Sequence, residues 1–169
     1  MSFLSFCQWL AAQPWSVGIH ESIWIYPIIE SVHVLSLCLF LGFALLWDLR
    51  LVGVTLRDVP VSDVSARLFP WMIAGFFLMV VSGVLLFSSD PVRFYGNIFF
   101  RIKAVALVLA GLNAFMFHNS RAGRTIMDWD LATVTPAAAR RAGVISLVLW
   151  AVIVVTGRFI AYNWFDPLV

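Results

Sequence analysis

The chain has 169 residues, 62% of them hydrophobic and 12% charged, whereas an ordinary soluble domain carries about a quarter charged residues. A soluble fold of this size would lack the polar side chains to cover its outside, so the composition describes one integral membrane domain. A formal net charge of +2, with the basic residues scattered between apolar segments, excludes a nucleic-acid-binding stripe.

Residues 1–22 open with an apolar-aromatic piece, Phe3, Leu4, Phe6, Trp9 and Leu10, broken by Pro14. It is too short to span and is expected to lie along the membrane as an interfacial helix. No Lys or Arg precedes Arg50, so the basic n-region of a cleaved signal peptide is missing and the start is expected to be retained. The first span is predicted over 24–47, between Trp24 and Trp47, since about 20 apolar residues cross the hydrocarbon and aromatic rings favour its boundaries. A polar segment reaches Arg67, within which Val61-Ser62-Asp63 after Pro60 reads as a helix start. The second span is expected over 69–87, with Pro70 in its opening turn and Ser82-Gly83 as small residues for close helix packing. Ser89-Asp90-Pro91 is a turn. The third span, 98–117, carries Arg101 and Lys103 in its first turns, Asn113 further along and His118 at its end. A polar loop over 119–141 ends in Thr135-Pro136, an N-cap followed by proline at the first helical position. The fourth span, 142–164, carries Arg158 in its last third. The expected fold is therefore an all-α, four-transmembrane-helix bundle in a lipid bilayer, residues 23–169, preceded by the interfacial segment 1–22.

Arg50, Arg57, Arg67, Arg121, Arg124, Arg140 and Arg141 all follow spans one and three, while Arg93 is the loop cation of the other side. Short cytoplasmic loops collect Lys and Arg. Both termini are thus expected outside, in the periplasm if the membrane is a bacterial inner membrane.

That orientation brings Glu30, His33, Arg101, Lys103 and Arg158 to one layer in the outer half. Ionisable groups at such depth mark a site or pair with a neighbour. Glu30 and His33 lie one turn apart on a helix face, and Glu30 paired with Arg158 or Lys103 would offset the cost of burial. Arg101 and Lys103 point in roughly opposite directions, so one faces the bundle centre and the other snorkels to the headgroups. A purely structural ion pair competes evenly with a functional site. At the inner face, Asp48 shares the Glu30 face of span one with Leu37, Leu41 and Ala44. Asp48 and His118 are expected at the water boundary as a solvated cap.

Glu30-x-x-His33 supplies two ligands from one turn, as in carboxylate-bridged metal bundles. A di-metal centre needs a second such motif, which the chain lacks; a single metal on His33, with Glu30 and His20, is the remaining metal reading. A haem b requires axial ligands at one level. His33 and His118 lie about 20 Å apart along the membrane normal at 1.5 Å per residue, so a pair in one chain requires methionine, and Met79 is at about the depth of His33. Arg101, Lys103 or Arg158 would then hold propionates. A ligand pair across a homodimer interface is the other route. Cys7 and Cys38 form no CxxC, which leaves thiol redox chemistry and c-type haem attachment without their signature. The chain has no G-x-S-x-G, H-E-x-x-H, phosphate-binding glycine loop or GxGxxG. The apolar middle of every span disfavours a channel.

Several strings stand together: Glu30-Ser31-Val32-His33, Trp47-Asp48-Leu49-Arg50-Leu51, Tyr95-Gly96-Asn97, Phe100-Arg101-Ile102-Lys103, Phe117-His118 and Gly157-Arg158-Phe159-Ile160-Ala161-Tyr162. With them the chain resembles, over nearly its whole length, a family of small four-span bacterial membrane proteins catalogued as a domain of unknown function. That resemblance implies a bacterial inner-membrane location and supports four spans. More distantly the layout is similar to small b-type cytochromes and copper-resistance membrane proteins, although the histidines here are fewer and unpaired by depth. The functional expectation is a redox-associated membrane subunit binding haem b or quinone through His33, Glu30, Arg101, Lys103, Arg158 and Met79. The alternatives are a non-catalytic subunit of a homo-oligomer or membrane redox complex, or a metal-ion handling protein.

Overall fold

The computed structural model describes residues 2–130 and 135–162. Two short helices, α1 (Phe3–Ala11) and α2 (Pro14–Glu21), lead into the long α3 (Ile25–Val52) and α4 (Val61–Ser89). A short α5 (Pro91–Gly96) precedes α6 (Ile98–Asn119). A turn of helix, α7 (Arg121–Arg124), and a 3-10 turn (Ile126–Trp129) then connect to α8 (Ala137–Phe159). No strand occurs among the described residues. Helices α3, α4, α6 and α8 are each long and apolar enough to cross a membrane, so the chain is built as a multi-pass membrane protein.

Several boundaries differ from the sequence reading, each for a local reason. The 1–22 segment is two helices: Pro14 takes the first position of α2, where its missing N–H costs nothing. The polar segment before span two is continuous with it. Helix α4 starts at Val61, so Pro70 lies well inside the helix and not in its opening turn. There it leaves the Ala66 carbonyl without its usual donor, a defect that membrane helices accommodate through neighbouring groups. Pro136 occupies the N-cap position of α8, and the helix begins one residue later than expected. Within the polar loop, α7 and the 3-10 turn fold back: Trp129 Nε1 donates to the Ala122 carbonyl at 2.9 Å. Trp164, the expected end of the fourth span, lies outside the described residues.

The start of α4 shows how distant chain completes a helix end. Pro60 has no side chain to cap it, and Asp130 does so from the far side of the loop. Its carboxylate accepts from the Ser62 amide at 2.7 Å and the Ser62 hydroxyl at 2.5 Å. A carboxylate there also complements the positive end of the helix dipole. Arg50, only 2% exposed, closes the same knot. It donates from Nε and Nη2 to the Val59 carbonyl at 3.1 and 2.9 Å and from Nη2 to the Asp130 carbonyl at 3.3 Å. Burial pushes the Asp130 carboxyl up, but the Ser62 and Val61 donors and the Arg50 charge outweigh it and leave the group below the usual carboxylate range.

Helix α3 packs along α4 and along α8, and α6 packs along α8, whereas α4 and α6 do not pack along their length. Glycine permits the tightest approaches. A Cβ at Gly75 would lie 2.9 Å from the Phe40 amide nitrogen, and one at Gly143 would lie 2.9 Å from the Asp48 carbonyl oxygen. Between helices, Phe40, Ala44, Met79, Ala106, Ala110, Trp150 and Ile153 form the central core. The Phe40 and Trp150 rings meet edge to face at 4.8 Å. Leu51, Val61, Phe117 and Ala139 make a second core at the arginine-rich end. At the opposite end α1 and α2 lean on α4 and α5, with the buried Ser16 hydroxyl donating to the Ser88 carbonyl at 2.5 Å.

Candidate functional site

The polar residues near the N-terminal end of the bundle do not meet as one cluster. Arg101 is exposed and turns back to α5, donating from Nε to the Tyr95 carbonyl at 2.9 Å, with its guanidinium 5.0 Å from the Tyr95 ring centre. Arg158 is also exposed and donates to the Tyr162 hydroxyl at 3.1 Å, its guanidinium 5.3 Å from that ring. Long cationic side chains reach toward water in this way when an aromatic neighbour can hold them. Glu30 is exposed as well, and no hydrogen bond or ion pair joins it to Arg158 or Lys103. The buried stripe of α3 passes it by, running through Ser36, Phe40, Ala44, Asp48 and Leu51. Glu30 therefore stays outside the buried strip, five turns along the same helix from the buried Asp48.

What remains inside is His33 with Lys103. Both are half-buried. His33 Nδ1 lies 3.0 Å from Ser82 Oγ of α4. Ser82 Oγ lies 2.6 Å from the Leu78 carbonyl and 3.2 Å from that of Met79. A hydroxyl has one proton and a carbonyl can only accept. Ser82 thus donates into its own helix and accepts from His33 Nδ1–H. The proton on Nδ1 leaves Nε2 with its lone pair available. Gly83 makes room for the ring, since a Cβ there would come 3.1 Å from His33 Cε1. Gly157 does the same for Lys103, whose Nζ would lie 3.4 Å from an added Cβ.

The layer beneath is apolar and filled. Met79 is 7% exposed and its side chain belongs to the central core, while its carbonyl lies 3.2 Å from Ser82 Oγ, beside the imidazole. Among the described residues, no three His, Cys, Asp or Glu side chains gather as metal ligands. His20, the third residue of the mononuclear reading, is exposed on α2. The open side of the bundle is between α4 and α6, which meet by rings at either end. Phe87 stacks on Phe100 at 5.3 Å, and Phe69 lies 6.3 Å from His118.

A family described as of unknown function, DUF6644, matches residues 20–163. The chain belongs to this family. No curated protein and no solved structure matches the chain. The DUF6644 match covers all four spanning helices and the His33, Ser82 and Lys103 layer, and it leaves α1 outside.

Two positions carry more than the sequence suggested. Ser82 reads as a packing residue, yet it orients the histidine; a membrane-embedded imidazole needs such a partner, and that need was the available signal. Asp48 is the larger correction. It is not a solvated cap but 4% exposed, with Oδ2 lacking a hydrogen-bond partner among the described residues. His118 is exposed, with its Nδ1 2.8 Å from the Ala114 carbonyl.

Proposed function

We propose that this chain is a small redox-associated subunit of a bacterial inner membrane that binds the head group of a membrane quinone at His33 and Lys103. The observation that carries the reading is the His33–Ser82 contact: it fixes the imidazole with Nε2 unspent, in the same half of the bundle as the half-buried Lys103 ammonium, which has no ion-pair partner among the described residues. A quinol hydroxyl would donate to Nε2, and the Lys103 ammonium would donate to the other ring oxygen. When an electron-accepting partner oxidises the quinol, Nε2 is placed to take one of its two hydroxyl protons, and the other leaves to water at that end of the bundle. The unpacked side between α4 and α6 gives a lipid-soluble molecule lateral entry. The lack of a Glu30–Arg158 pair weighs against a layer that only fixes helix register.

Haem b fits less well. Met79, its candidate second ligand, is packed among Phe40, Trp150 and Ile153, and a haem there would have to open the core. The excess of arginines at the far ends of the helices supports a cytoplasmic location for that end and periplasmic termini. The test is extraction of the purified protein for quinone, followed by titration of quinone into the delipidated protein and into His33→Ala. Copurifying quinone and a binding isotherm lost in the variant are expected. Equal binding by both proteins would refute the site. A Soret band lost in His33→Ala would instead establish haem.

A further inference from the structure

Asp48 lies on α3 at the arginine-rich end, where its backbone carbonyl packs closely against Gly143 of α8. Leu51 and Val52 share that contact and close it with apolar atoms. The carboxylate is 4% exposed and Oδ2 is without a hydrogen-bond partner among the described residues. Its polar neighbour is Ser146, one turn along α8 from Gly143. Neighbouring polar and charged groups are directed elsewhere. Asn113 of α6 donates to the Ala142 carbonyl at 3.0 Å, and Arg50 is spent on Val59 and Asp130. Asp63 and Arg67 of α4, His118 of α6, and Arg140 and Arg141 of α8 are all exposed.

An unpaired carboxylate charge removed from water is costly, and a group so placed neutralises itself by taking a proton. A hard metal cation takes roughly six or more oxygens. A proton needs only the carboxyl itself. We propose that Asp48 is a proton-binding site, exchanging its proton with the aqueous face at the arginine-rich end. The apolar layer of Leu37, Phe40, Leu41 and Ala44 separates it from His33, so the site stands independently of quinone binding. Loss of the proton would place a charge in the α3–α8 contact, which makes this helix joint responsive to protonation.

Infrared spectroscopy of the reconstituted full chain at neutral pH tests this. The wild type should show the C=O stretch of a protonated carboxylic acid, shifted in heavy water and shifted again by carbon-13 labelling of aspartate. The band should be lost in Asp48→Asn, an uncharged isostere, and kept in Glu30→Gln and Asp63→Asn. The isotope measurement needs no variant and identifies the acid as an aspartate; Asp48→Glu, which keeps an acid in place and should abolish the band's response to aspartate labelling, assigns it to position 48 even if Asp48→Asn folds poorly. Absence of the band at neutral pH, its insensitivity to aspartate labelling, or its persistence in Asp48→Asn would overturn the proposal. So would loss of the band on adding sodium, which would make Asp48 a metal-cation site.

Discussion

Truncating Ser82 isolates the orientation of His33 from its presence. Ser82→Ala removes the 3.0 Å partner of Nδ1. It leaves the α4 backbone intact, because the hydroxyl otherwise bonds only carbonyls of its own helix at 2.6 and 3.2 Å. One hydrogen bond contributes about 1 kcal/mol net, and 1.4 kcal/mol is tenfold in affinity. Quinone binding should therefore weaken by about fivefold, while Tm changes little. His33→Ala should lose most of the binding, and adding Ser82→Ala to it should cost nothing further, since the hydroxyl then has no ring to orient. The assay is quinone titration of the four members of this double-mutant cycle in one detergent, with helicity and Tm followed in parallel. Additive losses would refute the claim that Ser82 acts through the imidazole. An unchanged affinity in Ser82→Ala would refute the tautomer assignment itself.

Other consequences follow from packing and charge. Gly143→Leu drives a side chain into the Asp48 carbonyl, 2.9 Å from the added Cβ, and should destabilise the α3–α8 contact by at least about 2 kcal/mol. Gly111→Leu, where a Cβ meets nothing within 4 Å, is its neutral control in thermal unfolding. Arg50→Ala strips the Val59 carbonyl and the Asp130 carbonyl of a buried donor; a loss of roughly 3 kcal/mol is expected for hydrogen bonds from a charged group, read as a lower Tm. Asp130 sits below its unfolded value, about 4 for an aspartate, because the Ser62 donors and Arg50 outweigh burial. Its stabilisation is thus complete above that value and is lost as pH falls through the folded one, and Asp130→Asn should flatten the acid limb of Tm against pH. Cys7 is fully buried and burial pushes its thiol up. It should resist a water-soluble maleimide until the protein is denatured, and rapid labelling in the native state would refute the packing of α1.

The amino-acid sequence alone determined the four spans, because a run of apolar residues about 30 Å long has one comfortable solvent and one backbone that satisfies itself there. It also determined that His33 and Lys103 lie inside those spans, since depth is counted along a helix. Direction is another matter. Arg101, Arg158 and Lys103 have similar chemistry and similar depth, yet Tyr95 and Tyr162 draw the two arginines outward while Gly157 admits the lysine. Long side chains choose among neighbours that only packing supplies. The same holds for Glu30 and Asp48. A five-turn spacing places them on one face of an ideal helix, but which strip of α3 is buried is decided by Gly75 and Gly143, which bring α4 and α8 against Phe40 and Asp48. Burial is a property of that contact, and neither carboxylate carries its own sign of it. The capping of α4 by Asp130, sixty-eight residues from Ser62, lies likewise beyond local pattern, because the helix start is legible at Pro60 while its partner is brought there by the fold of the loop.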